Sequence, residues 1–301
     1  MTDTELDALL DQVPRLSDRV RVEELSGGLT NRNYRVDTPD ASYVVRHSSS
    51  DTRLLGIDRE AEHLNSRAAA EAGVGAQVFD YRPDLGVLVI GHLLGRTLEN
   101  DSFGDPAVLG RAAEACRRLH AGPRFTGEFD MLARQAAYRQ TVREQGFALP
   151  GRYDDHADAW HAVHRALAAR PRVTVPCNND LLAGNFIDDG DRIWLIDYEY
   201  SGNNDVEFEL GNTVTECEFP PERIDAYVEA YFHRPTAGDR ARVRLGALRS
   251  EYGWSLWGFI QAATSPLDFD FAQWGRHRYE KAVATFRGPH FDRLLAEAAD
   301  A

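Results

Sequence analysis

The sequence predicts an α+β protein of two lobes, in which a small lobe of five antiparallel strands and one helix precedes a larger, mainly helical lobe. Short extended runs of alternating apolar and polar residues dominate residues 19–94. Helical periodicity dominates the chain after residue 106, apart from one extended stretch over residues 173–212. Because 301 residues, 43% of them apolar, suffice for two sizeable cores, we predict lobes at residues 1–94 and 95–301.

The small lobe is predicted from three strands, one helix and two further strands. The segments "RVRVEELS", "NRNYRVDT" and "SYVVRHS" are separated by a glycine-containing loop and a "TPDA" turn, a pattern typical of an antiparallel meander. From Ile57 to Gly73 the chain is rich in Ala and Glu and has Asp58 near its start, which predicts a helix with a glycine stop. The runs "AQVFDYRP" and "GVLVIGHLL" complete the predicted sheet.

The larger lobe follows a loop-like connector from Gly95 to Pro106. Its predicted helices cover residues 107–122, 131–146, 154–169, 221–234 and 237–265. The extended stretch lies between the third and the fourth of them, so any motif on that stretch is carried by strands and loops inside a helical lobe.

Composition narrows the classes of partner. A net charge of -14 argues against nucleic acid and is compatible with a small cationic ligand. No run of eighteen apolar residues occurs, and the start is acidic and amphipathic, so we expect no membrane insertion, no signal peptide and a cytoplasmic location. Lys281 is the sole lysine, so arginine must supply the cations that other proteins take from lysine.

The stretch "NNDLLAGNF" carries the first sign of chemistry. Asp180 precedes Asn185 by five positions, which is the spacing of a kinase catalytic loop. Asp197 ends the apolar run "RIWLI" twelve positions later, where a second metal-binding carboxylate is expected. Each feature alone is a common chance match or a turn former, but their order and spacing together indicate phosphoryl transfer.

The small lobe has features suited to nucleotide phosphates. Gly27 and Gly28 in "LSGGLTNRNY" would let backbone N–H groups approach phosphate oxygens, with a plain hairpin turn as the alternative. Arg46 ends "YVVR", where a kinase places the cation that grips the phosphates, although an exposed arginine at a strand end is equally common. The following helix offers Glu60 or Glu62 as its ion-pair partner, and we favour Glu62.

These segments, together with "IDREAEHLNS", "IWLIDYEYSGNND" and "FELGN", resemble the choline/ethanolamine kinase branch of the aminoglycoside-phosphotransferase-like kinases from about Leu25 to Tyr279. The resemblance implies a two-lobed, protein-kinase-like fold that uses ATP and Mg²⁺. It implies Asp180 as catalytic base, Asn185 and Asp197 as Mg²⁺ ligands, and Glu199 as a second metal or substrate contact. The residues that it assigns to the nucleotide are Ser26, Gly27, Gly28, Asn31, Arg46, Glu62, Gly91, His92 and Leu93, the last three as the adenine-binding hinge.

A late segment, "EYGWSLWGFIQAATSPLDFDFAQWGRHRYEKA", is similar to the substrate region of choline kinases. Trp254 and Trp257 share a helix face, where two indoles can form part of a cage for a quaternary ammonium; the alternative is a core-packing stripe. Glu216 and Glu218 would add anionic character at the same pocket or belong to a solvated helix end. The predicted substrate-binding residues are Tyr200, Trp254, Trp257, Gln261, Phe271 and Tyr279.

We therefore predict a kinase that phosphorylates the hydroxyl of a small cationic amino alcohol, with choline favoured over ethanolamine. An aminoglycoside or another natural-product amine is the alternative acceptor, and a non-catalytic binding protein is a third hypothesis, motivated by Asn178. Kinases of this type usually carry His where this chain has Asn178, which we expect to replace the support of the loop only partly. The sequence leaves open whether the chain acts alone or as a homodimer.

Overall fold

The computed structural model describes residues 2–25, 28, 30–48 and 53–300. Its small lobe is a five-stranded antiparallel sheet, as predicted, with strand order β1-β2-β3-β5-β4. The strands are β1 (Arg21–Leu25), β2 (Arg32–Asp37), β3 (Ser42–His47), β4 (Val78–Arg82) and β5 (Val87–Gly91). An N-terminal helix, α1 (Asp3–Leu10), adds its buried Leu10 to a core with valines of β2, β3 and β5.

A long helix of the small lobe, α2 (Arg59–Glu71), forms where the sequence predicts it. The carboxylate of Asp58 accepts hydrogen bonds from the backbone N–H groups of Glu60 at 3.0 Å and Ala61 at 3.1 Å, which caps the helix start. Gly73 adopts a left-handed conformation, with φ of 71°, just beyond the helix end. The fixed helix start turns Glu62 towards β3.

Along the larger lobe, one short strand and three helices are followed by four short strands and then five helices among the described residues. Its strands are β6 (Arg96–Thr97), β7 (Val175–Cys177), β8 (Phe186–Asp188), β9 (Ile193–Leu195) and β10 (Gly202–Asn204). Its helices are α3 (Pro106–His120), α4 (Met131–Gln145), α5 (Ala157–Leu167), α6 (Val206–Glu216), α7 (Pro221–Phe232), α8 (Ala237–Thr264), α9 (Phe271–Phe286) and α10 (Phe291–Asp300). The strands pair as β6-β8-β9 and β7-β10.

Helix α8 is the central element of this lobe, and α4, α6, α9 and α10 pack around it. Thr236 starts it with a capping box, in which its hydroxyl accepts from the N–H of Asp239 at 3.1 Å. The helix crosses α9 at a very short distance, and a glycine stands on each helix at the crossing. A Cβ on Gly258 would lie only 2.8 Å from the Cα of Gly275, so a larger residue would force the two helices apart. Side chains on α8 and α9 near this crossing are therefore held in close contact.

One predicted boundary is wrong. The extended stretch predicted over residues 173–212 ends early, since α6 begins at Val206. Asp205 is the reason: its carboxylate accepts the N–H of Phe208 at 2.9 Å and caps a helix that is then almost completely buried. The division of the chain after residue 94 remains a prediction. Among the described residues, no helix combines the length and apolar character needed to cross a bilayer.

Candidate active site

A cleft of about 320 Å³ gathers all of the predicted catalytic and metal-binding residues and half of the predicted substrate-binding residues. The small lobe contributes Gly28 and Thr30 to its lining. The larger lobe contributes Asp180, Asn185, Asp197, Glu199, Tyr200, Glu216, Glu218, Trp254, Trp257, Trp274 and Arg278, together with Leu182. Carboxylates, an amide and aromatic rings thus meet in one cavity, although they come from distant parts of the sequence.

The loop of residues 178–185 connects β7 to β8 and carries Asp180 and Asn185. A short 3₁₀ turn, Ala183–Asn185, folds its end back, so that the side-chain Nδ2 of Asn185 donates to the backbone carbonyl of Asp180 at 2.8 Å. This bond engages the amide nitrogen and leaves the amide oxygen of Asn185 as an acceptor. An oxygen ligand for a hard cation is therefore available beside Asp180.

Asn178 supports this loop through hydrogen bonds of both its side-chain nitrogen and its side-chain oxygen. Its Nδ2 donates to the carbonyl oxygens of Ile196 at 3.1 Å and Asp197 at 2.8 Å, and its Oδ1 accepts the N–H of Asp180 at 3.0 Å. The side chain is fully buried. One asparagine therefore joins the loop to the strand end that carries the second carboxylate.

A residue that sequence reasoning did not select, Glu209, holds the same loop from α6. Its two carboxylate oxygens accept the backbone N–H groups of Asn178 and Asn179, each at 2.7 Å. Asn179 adopts a left-handed φ of 67°, a conformation that asparagine tolerates better than most residues. The signal was present in the motif "FELGN", where a glutamate stands within an otherwise buried helix.

An ion-pair network links the small lobe to this loop region through Arg46. Its guanidinium contacts Glu62 at 2.8 Å, Asp197 at 2.7 Å and Glu199 at 3.2 Å. Of the two glutamates considered as its partner, Glu62 is the one in contact. Arg59, which sequence reasoning missed, contacts Glu62 at 2.6 Å and Glu199 at 3.2 Å from the first turn of α2.

Glu199 also receives hydrogen bonds from the β1-β2 loop. The hydroxyl of Thr30 donates to it at 2.8 Å, and Nδ2 of Asn31 donates at 2.9 Å. The carboxylate is buried, so these donors and the two arginines replace its hydration. Glu199 is thus the point where the loop of the small lobe meets the larger lobe.

The far side of the cleft is an aromatic wall formed by Tyr200, Trp254, Trp257 and Trp274. Nε1 of Trp257 donates to the hydroxyl of Tyr200 at 2.8 Å, and the rings of Tyr200 and Trp254 meet edge to face with centroids 4.8 Å apart. Trp257 packs against Trp274 with centroids 5.2 Å apart. Edge-to-face contacts of this kind fix the ring orientations, so the wall has a defined shape.

Comparisons with known proteins agree with this geometry. Residues 21–245 match the phosphotransferase enzyme family. The chain is 32% identical to a choline/ethanolamine kinase family protein from Mesorhizobium loti, with a TM-score of 0.89 and both chains covered completely. It belongs to the choline/ethanolamine kinase family. It is thus a phosphotransferase with an alcohol group as acceptor.

More distant relatives share the architecture of this kinase family. A probable ethanolamine kinase A of Dictyostelium discoideum is 24% identical over an alignment that covers 88% of this chain and 85% of that protein. The solved structure of choline kinase LicA from Streptococcus pneumoniae is 24% identical, with a TM-score of 0.80 over 98% of this chain and 99% of that one. The predicted two-lobed α+β kinase fold is confirmed.

The residues that the sequence assigns to the nucleotide are described only in part. Ser26 and Gly27 lie outside the described residues, while Gly28 lines the cleft. At the predicted hinge, the N–H of Gly91 donates to Gln77 at 2.8 Å and that of His92 donates to Ser42 at 3.0 Å. Leu93 lies two positions after the end of β5, and its N–H makes no hydrogen bond within the described part of the chain. The role of these residues in adenine binding stays a prediction.

Three predicted substrate residues of the kinase do not reach the lining. The ring of Phe271 packs behind Trp257, with centroids 5.6 Å apart. Tyr279 stacks on Tyr153 at 5.5 Å in the core, because it follows Arg278 on α9 by one position and so points to another side of the helix. Gln261 is buried near the end of α8. Their assignment to the substrate site stays a prediction.

Two other residues of α9 occupy the cleft in their place, and sequence reasoning missed both. Trp274 and Arg278 are four positions apart and share a helix face. The carbon at the centre of the Arg278 guanidinium lies 4.1 Å from the centre of the Trp274 ring, and its Nη2 forms an ion pair with Glu216. The i,i+4 spacing of Trp and Arg was the available signal.

The surroundings of Asp180 in the kinase cleft make its carboxyl a weaker acid than an ordinary aspartate. Burial raises the pKa of its carboxyl well above the ordinary value, and the negative charges of Glu216, Asp197 and Glu199 raise it further. Arg278 acts in the opposite direction. A bound cation that neutralised the nearby carboxylates would remove part of this effect, lower the pKa of Asp180 and favour its ionised form, which is the form that can accept a proton.

Proposed function

We propose that this kinase transfers a phosphoryl group from ATP to the hydroxyl of a small cationic amino alcohol, with choline favoured and ethanolamine next. The observation that carries the proposal is the position of Asp180 in the same cavity as the aromatic wall. A carboxylate placed to accept a hydroxyl proton and aromatic faces suited to an ammonium would then bind the two ends of one short molecule.

In this proposal, Asp180 orients the acceptor hydroxyl and takes its proton. Asn185, Asp197 and Glu199 present an amide oxygen and two carboxylates in the same cleft, a donor set that fits Mg²⁺. Mg²⁺ supplies charge neutralisation across the phosphates when it is bound. Asn178 and Glu209 keep Asp180 and Asp197 in register through the backbone, so that the proton acceptor stays aligned with the phosphoryl group.

The nucleotide is assigned to the small-lobe side of the cleft. Arg46 provides the cation for the phosphates, and Glu62 holds it in place from α2. The loop of Ser26, Gly27, Gly28 and Asn31 covers the phosphates in this assignment, and the backbone of residues 91–93 contacts the adenine. Residues 1–94 then serve as the nucleotide-binding lobe and residues 95–301 as the catalytic and acceptor-binding lobe. An ATP-dependent reaction fits the cytoplasmic location that the sequence predicts.

The names of the relatives support an amino-alcohol acceptor. Similar proteins include a probable ethanolamine kinase and a choline kinase. The size of the cavity, about 320 Å³, is also at the small end of ligand pockets and suits a molecule of choline size better than an aminoglycoside.

The proposal is tested by measuring ADP release with Mg-ATP and a panel of acceptors: choline, ethanolamine, thiamine and an aminoglycoside. We expect the highest kcat/KM for choline, a lower one for ethanolamine, and loss of activity in Asp180→Ala with Mg-ATP binding retained. A preference for the aminoglycoside would show that the acceptor is not a small amino alcohol. Activity that persists in Asp180→Ala would overturn the assignment of Asp180 as the base. Mg-ATP binding without ADP release for any acceptor would favour a non-catalytic binding protein.

A further inference from the structure

The cleft contains a cation of the protein itself. The Arg278 residue is only 8% exposed, yet it lines the same cavity as Asp180 and the aromatic wall. Arginine is rarely buried to this degree without a partner that fixes it. The partners of Arg278 therefore indicate what this position does in the site.

Those partners are the two kinds of group that attract an ammonium. The guanidinium stacks over Trp274, with its central carbon 4.1 Å from the ring centre, and forms an ion pair with Glu216. Aromatic faces form a cage for a quaternary ammonium, and a nearby carboxylate adds electrostatic attraction. Arg278 occupies both of them on the α9 side of the cleft.

The backbone keeps this arrangement in place. Gly258 and Gly275 let α8 and α9 touch, with Gly275 directly after Trp274 and one turn before Arg278. The indole of Trp274 is pressed against Trp257 of the same aromatic wall, with ring centroids 5.2 Å apart. The guanidinium therefore sits on an extension of the wall on which a substrate ammonium would rest.

The guanidinium of Arg278 has a hydrogen-bond donor without a partner among the described residues. Its Nη2 is paired with Glu216, while its buried Nε has no hydrogen-bond partner among the described residues. A buried donor without a partner is costly, which makes it easier for this side chain to give up its place. Glu218, by contrast, lines the cleft and is exposed, so it can attract an ammonium before the pair of Arg278 and Glu216 opens.

We propose that Arg278 is a specificity-determining residue: its guanidinium competes with the ammonium of the acceptor for Trp274 and Glu216. The inference rests on the proposed function for the class of acceptor. A quaternary ammonium has no N–H and depends on aromatic faces, whereas a primary ammonium can also donate to Glu218, which Arg278 does not contact, so Arg278 weakens choline binding more than ethanolamine binding.

The test compares Arg278→Met with wild-type protein, and Arg276→Met is the matched control because Arg276 is an exposed arginine of the same helix. Tetramethylammonium, which has no hydroxyl, is the probe for binding by calorimetry. We expect Arg278→Met to bind it about tenfold more tightly, because the ring face and the buried carboxylate become available. KM for choline should fall by a similar factor, KM for ethanolamine should fall less, and Arg276→Met should match wild type.

The outcomes separate this inference from the proposed function. Arg278→Met protein that melts like wild type but binds tetramethylammonium no more tightly overturns the inference, even if choline is phosphorylated. Tighter tetramethylammonium binding together with no ADP release for any amine supports the inference and contradicts the proposed function. Arg278→Gln, which keeps a polar partner for Glu216, gives the same comparison if the Met variant does not fold, and an unchanged affinity in it also overturns the inference.

Discussion

The side-chain amide of Asn178 donates to the backbone carbonyl of Asp197 at 2.8 Å, which ties the loop of the proposed base directly to the proposed metal site. Its other contacts, to the carbonyl of Ile196 and from the N–H of Asp180, use its remaining side-chain groups. Sequence reasoning expected asparagine to replace the usual histidine only partly. In the structure, the small amide makes three hydrogen bonds at this position.

Replacing Asn178 by alanine should weaken both the fold and the reaction. The change leaves two carbonyls and one N–H without their partner in a buried position, at roughly 1 kcal/mol or more each. We expect the free energy of unfolding to fall by about 2–4 kcal/mol and kcat to fall about 10- to 100-fold, because a small displacement of Asp180 misaligns the reacting groups. Denaturant unfolding and steady-state ADP release measure the two effects.

Asn178→His is the informative comparison for that experiment. If the position serves only to support the loop, the histidine variant should keep activity within a few-fold of wild type, since an imidazole can also donate and accept. Activity in Asn178→Ala equal to that of wild type would show that the three hydrogen bonds do not position Asp180.

Glu209 offers a second test of loop support from a different element. It accepts the N–H groups of Asn178 and Asn179, so Glu209→Ala leaves two buried donors unpaired, at about 1–3 kcal/mol each. We expect Tm to fall by roughly 5–10 °C and kcat to fall more than KM rises. Glu209→Gln keeps one acceptor and should lie between wild type and Glu209→Ala.

That order of the Glu209 variants is the essential result, because it separates an acceptor role from packing. Glutamine has nearly the volume of glutamate, so a loss caused by packing alone would spare Glu209→Gln completely. Thermal melts and ADP release on the three proteins distinguish these cases.

The acceptor side of the cleft is tested by Tyr200→Phe. The hydroxyl of Tyr200 accepts from Nε1 of Trp257 at 2.8 Å, so its removal frees that indole to turn while the ring of Tyr200 remains against Trp254. We expect KM for choline to rise about three- to tenfold, equivalent to roughly 1 kcal/mol, with kcat within twofold of wild type.

Tyr231→Phe is the matched control, since it also loses one hydrogen bond, to His120, but does not line the cleft. Equal changes in KM for the two variants would mean that the effect is one of general stability. A fall in kcat with unchanged KM in Tyr200→Phe would place Tyr200 in the reaction step instead of in acceptor binding.

The sequence predicted those parts of the site that local spacing determines. Asp180, Asn185 and Asp197 are separated by short segments of fixed length, so their order indicates how strands and loop bring them together. Arg46 and Glu62 were also predictable, because a strand end and the next helix face each other in such a lobe.

The residues that sequence reasoning missed depend on contacts between distant helices. The position of Arg278 in the cleft follows from the glycine crossing of α8 and α9 and from Glu216 on α6, none of which a periodic pattern reveals. Tyr279 lies outside the cleft lining for a related reason: it neighbours Arg278 in sequence, but one residue along a helix turns a side chain by about 100°. The early start of α6 depends on the carboxylate of Asp205, which caps the helix. In the sequence alone, an aspartate at this position is equally compatible with a polar loop.

The buried pair of Asp205 and Arg249 gives the fold a defined dependence on pH. Burial acts to raise the pKa of Asp205, but Arg249, whose Nη1 donates to its Oδ2 at 3.1 Å, outweighs burial and holds the pKa below its ordinary value. Since the folded pKa is depressed, the stabilisation is complete above the unfolded pKa of about 4 and is lost as pH falls through the folded value. Asp205→Asn leaves a buried guanidinium unpaired and should cost about 3–5 kcal/mol at pH 7, with less of a further loss on acidification than wild type shows.

Denaturant unfolding of both proteins between pH 7 and strongly acidic pH measures this difference. Asp84→Asn is the control, because its ion pair with Arg82 is exposed and should leave the free energy of unfolding unchanged. Equal free energies of unfolding for wild type and Asp205→Asn at every pH would show that the aspartate acts only as a helix cap, a role that asparagine also fills.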